Sequence, residues 1–140
     1  MRDAAKLSST AWITAQATAR MPGIYGPEPP HGWCYYFERA DLAAQYQDWA
    51  SVVALGDKAF ALDDYPNNPV ERFVFVEGYA RTGAWSRALE LSAASYKFSK
   101  TYMGPLLCAL WGRIEDGTPN STEKAAAALQ VKSMFACTGE

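Results

Sequence analysis

The residues able to do chemistry in this chain are few and widely spread. His31 is the only histidine, and it sits in a Pro/Gly-rich stretch just before a helical pattern. One imidazole without a second His or a nearby Cys pair makes a poor metal site. Its expected role is therefore at the helix entry, stacked on Trp33 or Tyr35. Glu38 and Asp41 are three residues apart and share one helix face. Glu77 repeats the position of Asp41 at an offset of 36. Paired carboxylates can act as acid and base, but nothing in the pattern splits their proton affinities, so solvated or Arg-paired side chains are expected. Cys34, Cys108 and Cys137 form no CxxC pair and no zinc spacing. They read as small buried hydrophobes, with one disulfide and a leftover thiol as the alternative. No nucleophile motif and no cofactor-binding motif is present. A catalytic centre cannot be assembled from this inventory, and the expectation is a protein that is not an enzyme and carries no cofactor or metal.

Bulk properties narrow the partners. The chain has 140 residues, 49% hydrophobic and 14% aromatic, which suits one folded domain rather than disorder. The net charge of −2 leaves no basic stripe for phosphates, so nucleic acid is not expected. Charge is uneven, however. Residues 28–77 hold nine Asp/Glu against Arg39, Lys58 and Arg72, which reads as a solvated acidic face or as a surface for a basic peptide. No run of eighteen apolar residues exists, so no segment is expected to insert into a membrane, and the N-terminus lacks the apolar core of a signal peptide.

The elements that would position these residues are helical. Ser9 can cap a helix over about 10–20. Residues 22–32 carry Pro22, Gly23, Gly26, Pro27, Pro29, Pro30 and Gly32, too dense for a helix. The reading is thus an N-terminal helix (1–21), a Pro/Gly-rich arm (22–32) and a helical domain (33–137). Trp33, Tyr36, Phe37, Ala40 and Ala44 form one stripe to about Gln47. Asp48 opens a helix over 49–62. Asn68, Pro69 and Glu71 make a capping-box start for a helix that ends near Thr82, with Gly83 supplying a left-handed turn. Further helices are expected at 85–97, from Thr101 to Gly117, and at 121–136 behind Asn120 and Glu123. In the last, Leu129, Val131, Met134 and Phe135 suggest a docked end. Gly78 and Gly56, both mid-helix, point to a close helix crossing.

Two stretches look like copies. Asp41 to Trp49, leading into Val52, Leu55 and Ala59, matches Glu77 to Trp85, leading into Ala88, Leu91 and Ser95, at an offset of 36. Periods of this size mark stacked helical hairpins. Phe75, Val76, Tyr79, Gly83, Trp85 and Ala88 fall where a tetratricopeptide repeat carries its characteristic residues, and the second copy resembles such a repeat. The first copy resembles it less, with Gln47 at the turn glycine and Val52 at the small crossing residue. The resemblance implies an all-α fold of TPR-like antiparallel helical hairpins, two good and one degenerate. A second resemblance rests on the run from Gly26 to Ala43 together with Gly78 to Trp85. This is similar to the C-terminal soluble tail of polytopic bacterial membrane proteins of glycosyltransferase-like type. It implies a domain tethered to the membrane through a longer parent, without transferase activity of its own.

The expected function is a non-catalytic scaffold that binds a protein or peptide. The groove would be lined by the first helix of each hairpin, with Tyr35, Glu38, Arg39, Asp41, Gln45, Arg72, Glu77 and Arg81 as candidate contacts. One alternative is glycan binding, with Tyr35 as an exposed aromatic platform beside carboxylates. Another is a structural domain whose groove is filled by the 22–32 arm. Trp49 and Trp85 are expected to pack between helices rather than to bind.

Overall fold

The computed structural model describes residues 31–137 together with Ile24, Gly26, Pro27, Pro29 and Pro30. These last five residues are all exposed, and Gly26 has φ 79. They belong to a unit spanning Met1–Pro30, separate from the unit His31–Glu140. The expected helix at 10–20 lies outside the described residues, as do Pro22, Gly23, Tyr25 and Glu28 of the arm.

The second unit is all-α among the described residues. Its helices are α1 (Trp33–Gln45), α2 (Trp49–Ala59), α3 (Phe73–Arg81), α4 (Trp85–Phe98), α5 (Lys100–Gly117) and α6 (Thr122–Phe135), with a 3-10 turn, Pro69–Arg72, leading into α3. Each helix packs on the next. In addition α1 packs on α3, α3 on α5, and α4 on α6. The order is that of stacked hairpins, with α1, α3 and α5 side by side in one layer.

Local chemistry explains where the helices begin. Asp48 caps α2 by accepting from the Ser51 N–H at 3.1 Å and the Ser51 hydroxyl at 2.6 Å. The Asn68 side chain accepts from Val70 N–H at 3.0 Å, while Glu71 Oε1 accepts from Asn68 N–H at 3.1 Å, so the expected capping box forms. Two starts differ from expectation. Ser99, not Thr101, caps α5, accepting from Tyr102 N–H at 3.4 Å. Ser121, not Asn120, caps α6, accepting from Lys124 N–H at 3.1 Å. In each case the cap is a serine whose backbone is extended. Because α5 starts earlier, Pro105 falls inside the helix at an exposed position.

The two hairpin turns are copies of one another. Gln47 has φ 58 and Gly83 has φ 85. Asp48 N–H bonds to Ala43 C=O and Ala84 N–H to Tyr79 C=O, at 3.0 and 2.8 Å. Gln47 N–H bonds to Ala44 C=O and Gly83 N–H to Ala80 C=O, at 2.9 and 3.0 Å. This is the paired bonding of a Schellman turn, with glutamine in the left-handed place of the first turn and glycine in that of its copy 36 residues later.

The core begins with Trp33, which is 2% exposed. Its indole meets Phe60 and Phe75 edge-on at 5.2 and 5.6 Å. Its Nε1–H donates to Glu71 at 2.7 Å and its backbone N–H to Asp64 at 2.6 Å. A Cβ on Gly32 would lie 2.8 Å from the same Asp64 oxygen. Gly32 thus lets a carboxylate from the α2–α3 loop cap α1 in place of a local side chain. Gly78 and Gly56 do mark a close crossing. A Cβ at Gly78 would collide with Val52 Cγ1, and one at Gly56 would sit 2.8 Å from Phe75. Further along, Trp111 donates to the buried Ser92 hydroxyl at 3.0 Å, which donates to Ala88 C=O at 2.8 Å.

The third hairpin is fastened differently. Cys108 and Cys137 form a disulfide across 29 residues, with Cα atoms 5.6 Å apart. This corrects the reading of these cysteines as buried hydrophobes. Cys34 remains a free, exposed thiol. On α6 Ala127, Val131 and Phe135 are buried, whereas Leu129 is 70% exposed, so the apolar run does not dock as a whole.

Candidate functional site

Glu77 stands 36 residues after Asp41, and Arg113 stands 36 after Glu77. Gln45, Arg81 and Gly117 step through the chain in the same way. The layering of α1, α3 and α5 turns these intervals into two rows across neighbouring helices. Arg81 donates to Glu77 Oε1 through Nε at 2.9 Å and Nη2 at 2.8 Å. Arg113 reaches Glu77 Oε2 at 3.3 Å, and Arg81 Nη1 donates to Gly117 C=O at 2.8 Å. One turn of α1 shows the same i,i+4 pairing, with Gln45 donating to Asp41 at 3.3 Å. The Arg81 guanidinium also lies 4.6 Å over the Trp49 ring. A Cβ on Gly117 would strike that guanidinium, so a larger residue there would require the Arg81 side chain to shift.

The expected contacts divide into three groups. Glu38, Asp41 and Gln45 are exposed on one side of α1. Tyr35 and Arg39 lie on another flank. His31 stacks on Tyr35 at 3.4 Å with an interplanar angle of 11°, and Arg39 donates to the Tyr35 hydroxyl at 2.8 Å. The Tyr35 ring is therefore engaged and is not an open platform. Glu77 and Arg81 are committed to the α3–α5 network, with side-chain exposures of 14% and 20%. Arg72 sits in the 3-10 turn before α3, half-buried, and burial lowers its proton affinity against the raising effect of Glu71. The structure thus brings Glu77 and Arg81 together, pairs Asp41 with Gln45, and sets Arg72 outside the helix expected to present it.

Most of the acidic block serves the fold. Asp48 is held below the usual carboxylate range by its hydrogen bonds from Ser51. Asp57 accepts from the Tyr79 hydroxyl at 2.5 Å, Asp63 from the Tyr65 hydroxyl at 3.4 Å, and Asp64 and Glu71 hold Trp33. Burial, with Asp57 adding to it, pushes the Tyr79 phenol above the ordinary tyrosine range. Counting residue charge overstated the acidic face, because hydrogen bonding to caps and indoles is invisible in a charge tally. Glu38 and Asp41 are the carboxylates left on the α1 surface.

Sequence reasoning missed Arg113 and the cavity beside Trp85. Arg113 is detectable by carrying the 36-residue step from Glu77 once more. The cavity, of about 490 Å³, is lined by Trp85, Leu89, Ala126, Glu123 and Gln130 among others, from α4 and α6. No spacing signal joins those two helices. Among the described residues no group of three His, Cys, Asp or Glu could hold a metal ion. No helix there is long and apolar enough to cross a membrane.

No protein-family model matches the chain, and no curated protein or solved structure matches it either.

Proposed function

We propose that residues 33–137 form a TPR-like, non-catalytic scaffold that binds a protein or peptide segment on the layer made by α1, α3 and α5. The observation that carries this reading is the double row Asp41–Glu77–Arg113 and Gln45–Arg81–Gly117. Its members recur at 36 residues and touch across α3 and α5. A repeated polar row on adjacent helices is the surface that stacked hairpins offer to extended ligands. Glu38 and Asp41 supply acceptors at one end, and Arg113, 63% exposed, supplies donors at the other. The engaged Tyr35 ring removes the support for glycan stacking at that residue. In the same reading the domain belongs to a longer membrane-attached bacterial parent of glycosyltransferase-like type. The Cys108–Cys137 disulfide supports an oxidising compartment for it.

Peptide phage selection on the purified domain, followed by calorimetry on the enriched peptide, tests the reading. Binding should weaken at least tenfold in Asp41→Lys and in Arg113→Ala, with thermal unfolding close to the parent. Glu77 is unsuitable as a probe because its loss breaks the α3–α5 network. Failure to enrich any peptide, or a peptide indifferent to both changes, would sink the proposal.

A further inference from the structure

The cavity between α4 and α6 has a composition unlike the polar rows on α1, α3 and α5. Its walls combine an aromatic and an aliphatic side chain, Trp85 and Leu89, with the small residues Gly83, Ala84, Ala126 and Ala127. Ser86, Arg87, Glu123 and Gln130 complete it. The volume of about 490 Å³ falls within the roughly 300–1,000 Å³ of small-molecule sites.

The polar groups carry both signs. Glu123 brings a carboxylate, kept ionised by hydrogen bonds from its own backbone and from Ser121 and Thr122. Arg87 brings a guanidinium held by Glu90 at 2.7 Å and resting 5.1 Å over Phe60. The first turn of α4 adds backbone N–H groups, since Ala84 makes no side-chain cap. An ion of either sign would meet one attractive and one repulsive wall, whereas an uncharged ligand that donates and accepts many hydrogen bonds meets no repulsive one. Gln130 and Ser86 suit the same ligand, because each can donate and accept. Trp85 adds a flat apolar surface, half-buried and backed by Trp111 at 6.4 Å.

We propose that this cavity binds a neutral pyranose sugar, with the C–H face of the ring on Trp85 and its hydroxyls on Glu123, Gln130 and Ser86. The site is separate from the peptide-binding layer and does not depend on it. It also differs from the Tyr35 platform expected from sequence, whose ring His31 already covers.

The test is a titration of ¹⁵N-labelled protein with methyl glycosides of glucose, galactose, mannose and N-acetylglucosamine, following the Trp85 indole N–H. At least one glycoside should shift that resonance saturably, with a dissociation constant on the order of 1 mM. Ala126→Leu should abolish the shift by filling the cavity from an exposed α6 position, and Gln130→Ala should weaken binding about tenfold. Trp85→Ala is the obvious variant but risks unfolding, so Ala126→Leu decides, with circular dichroism as the control for fold. Asp41→Lys should leave the titration unchanged, which keeps failure here distinct from failure of the peptide reading. Absence of a saturable shift with all four glycosides would overturn the proposal. So would a shift that survives Ala126→Leu, or cyclohexanol or benzoate binding more tightly than every sugar.

Discussion

Between α2 and α3 the helices meet through glycine, whereas α5 and α6 are joined by sulfur. Gly78 allows Val52 to sit against the α3 backbone, and Gly56 does the same for Phe75. The contact is dense, apolar and fully buried at Val52, Phe75 and Val76. The α6 helix buries only Ala127, Val131 and Phe135. It adds the Cys108–Cys137 bond at one end and Lys124 at the other, whose Nζ caps the Glu115 and Thr118 carbonyls at 2.5 and 2.7 Å. The difference teaches that neighbouring helices can be joined either by shape or by a few strong links. Close packing is insensitive to redox conditions. A disulfide is not.

The comparison breaks most sharply under reduction. Opening the disulfide releases a 29-residue loop, which in the chain-entropy account lowers stability by about 3–4 kcal/mol. Denaturant unfolding with and without dithiothreitol should show it, and hydrogen exchange should rise in α6 before α2 or α3. Uniform exchange across the unit would mean the third hairpin is not the weaker part. Next in size is Gly78→Val, which overpacks the α2–α3 crossing and should cost about 1–3 kcal/mol. The contrast is Gly112→Ala, mid-helix in α5 with nothing within 4 Å of the added carbon. That change should stabilise by up to about 1 kcal/mol, and a loss of stability would show that α5 is more crowded there than the geometry indicates.

The two turns sharpen the comparison further. Gln47 pays a left-handed penalty that Gly83 avoids. Gln47→Gly should therefore raise stability by about 1 kcal/mol, and Gly83→Gln should lower it by about the same amount. Equal melting temperatures for both variants and the parent would contradict the equivalence of the turns. The smallest expected effect is one of pH. The folded-state proton affinity of Tyr79 is raised, mainly by burial and then by Asp57. Its contribution is complete below the unfolded value near pH 10 and declines as pH rises above that. Stability measured at pH 9 and pH 11 should fall in the parent and fall less in Tyr79→Phe. An identical slope in both would remove Tyr79 as the cause.

Much of the architecture was legible along the chain. Apolar stripes at helical spacing, the Asn68–Pro69–Glu71 start and the Gly83 stop are local patterns, and local backbone preferences decided them. The 36-residue step from Trp49 to Trp85 exposed the hairpin order because each hairpin needs the same buried positions. The mid-helix glycines were legible as a crossing for a related reason, since an unfavourable helix residue needs a contact to justify it. Only the tertiary structure decided which carboxylates remain available, because Asp64 and Glu71 find Trp33 across more than thirty residues. It decided the pairing of Cys108 with Cys137, which depends on where α6 comes to rest. It also decided that Tyr35 lies under His31 while Trp85 lines a cavity. Backbone preference acts over a few residues and can be read in order, but hydrogen-bond partners and surface access are set by what the folded chain brings alongside.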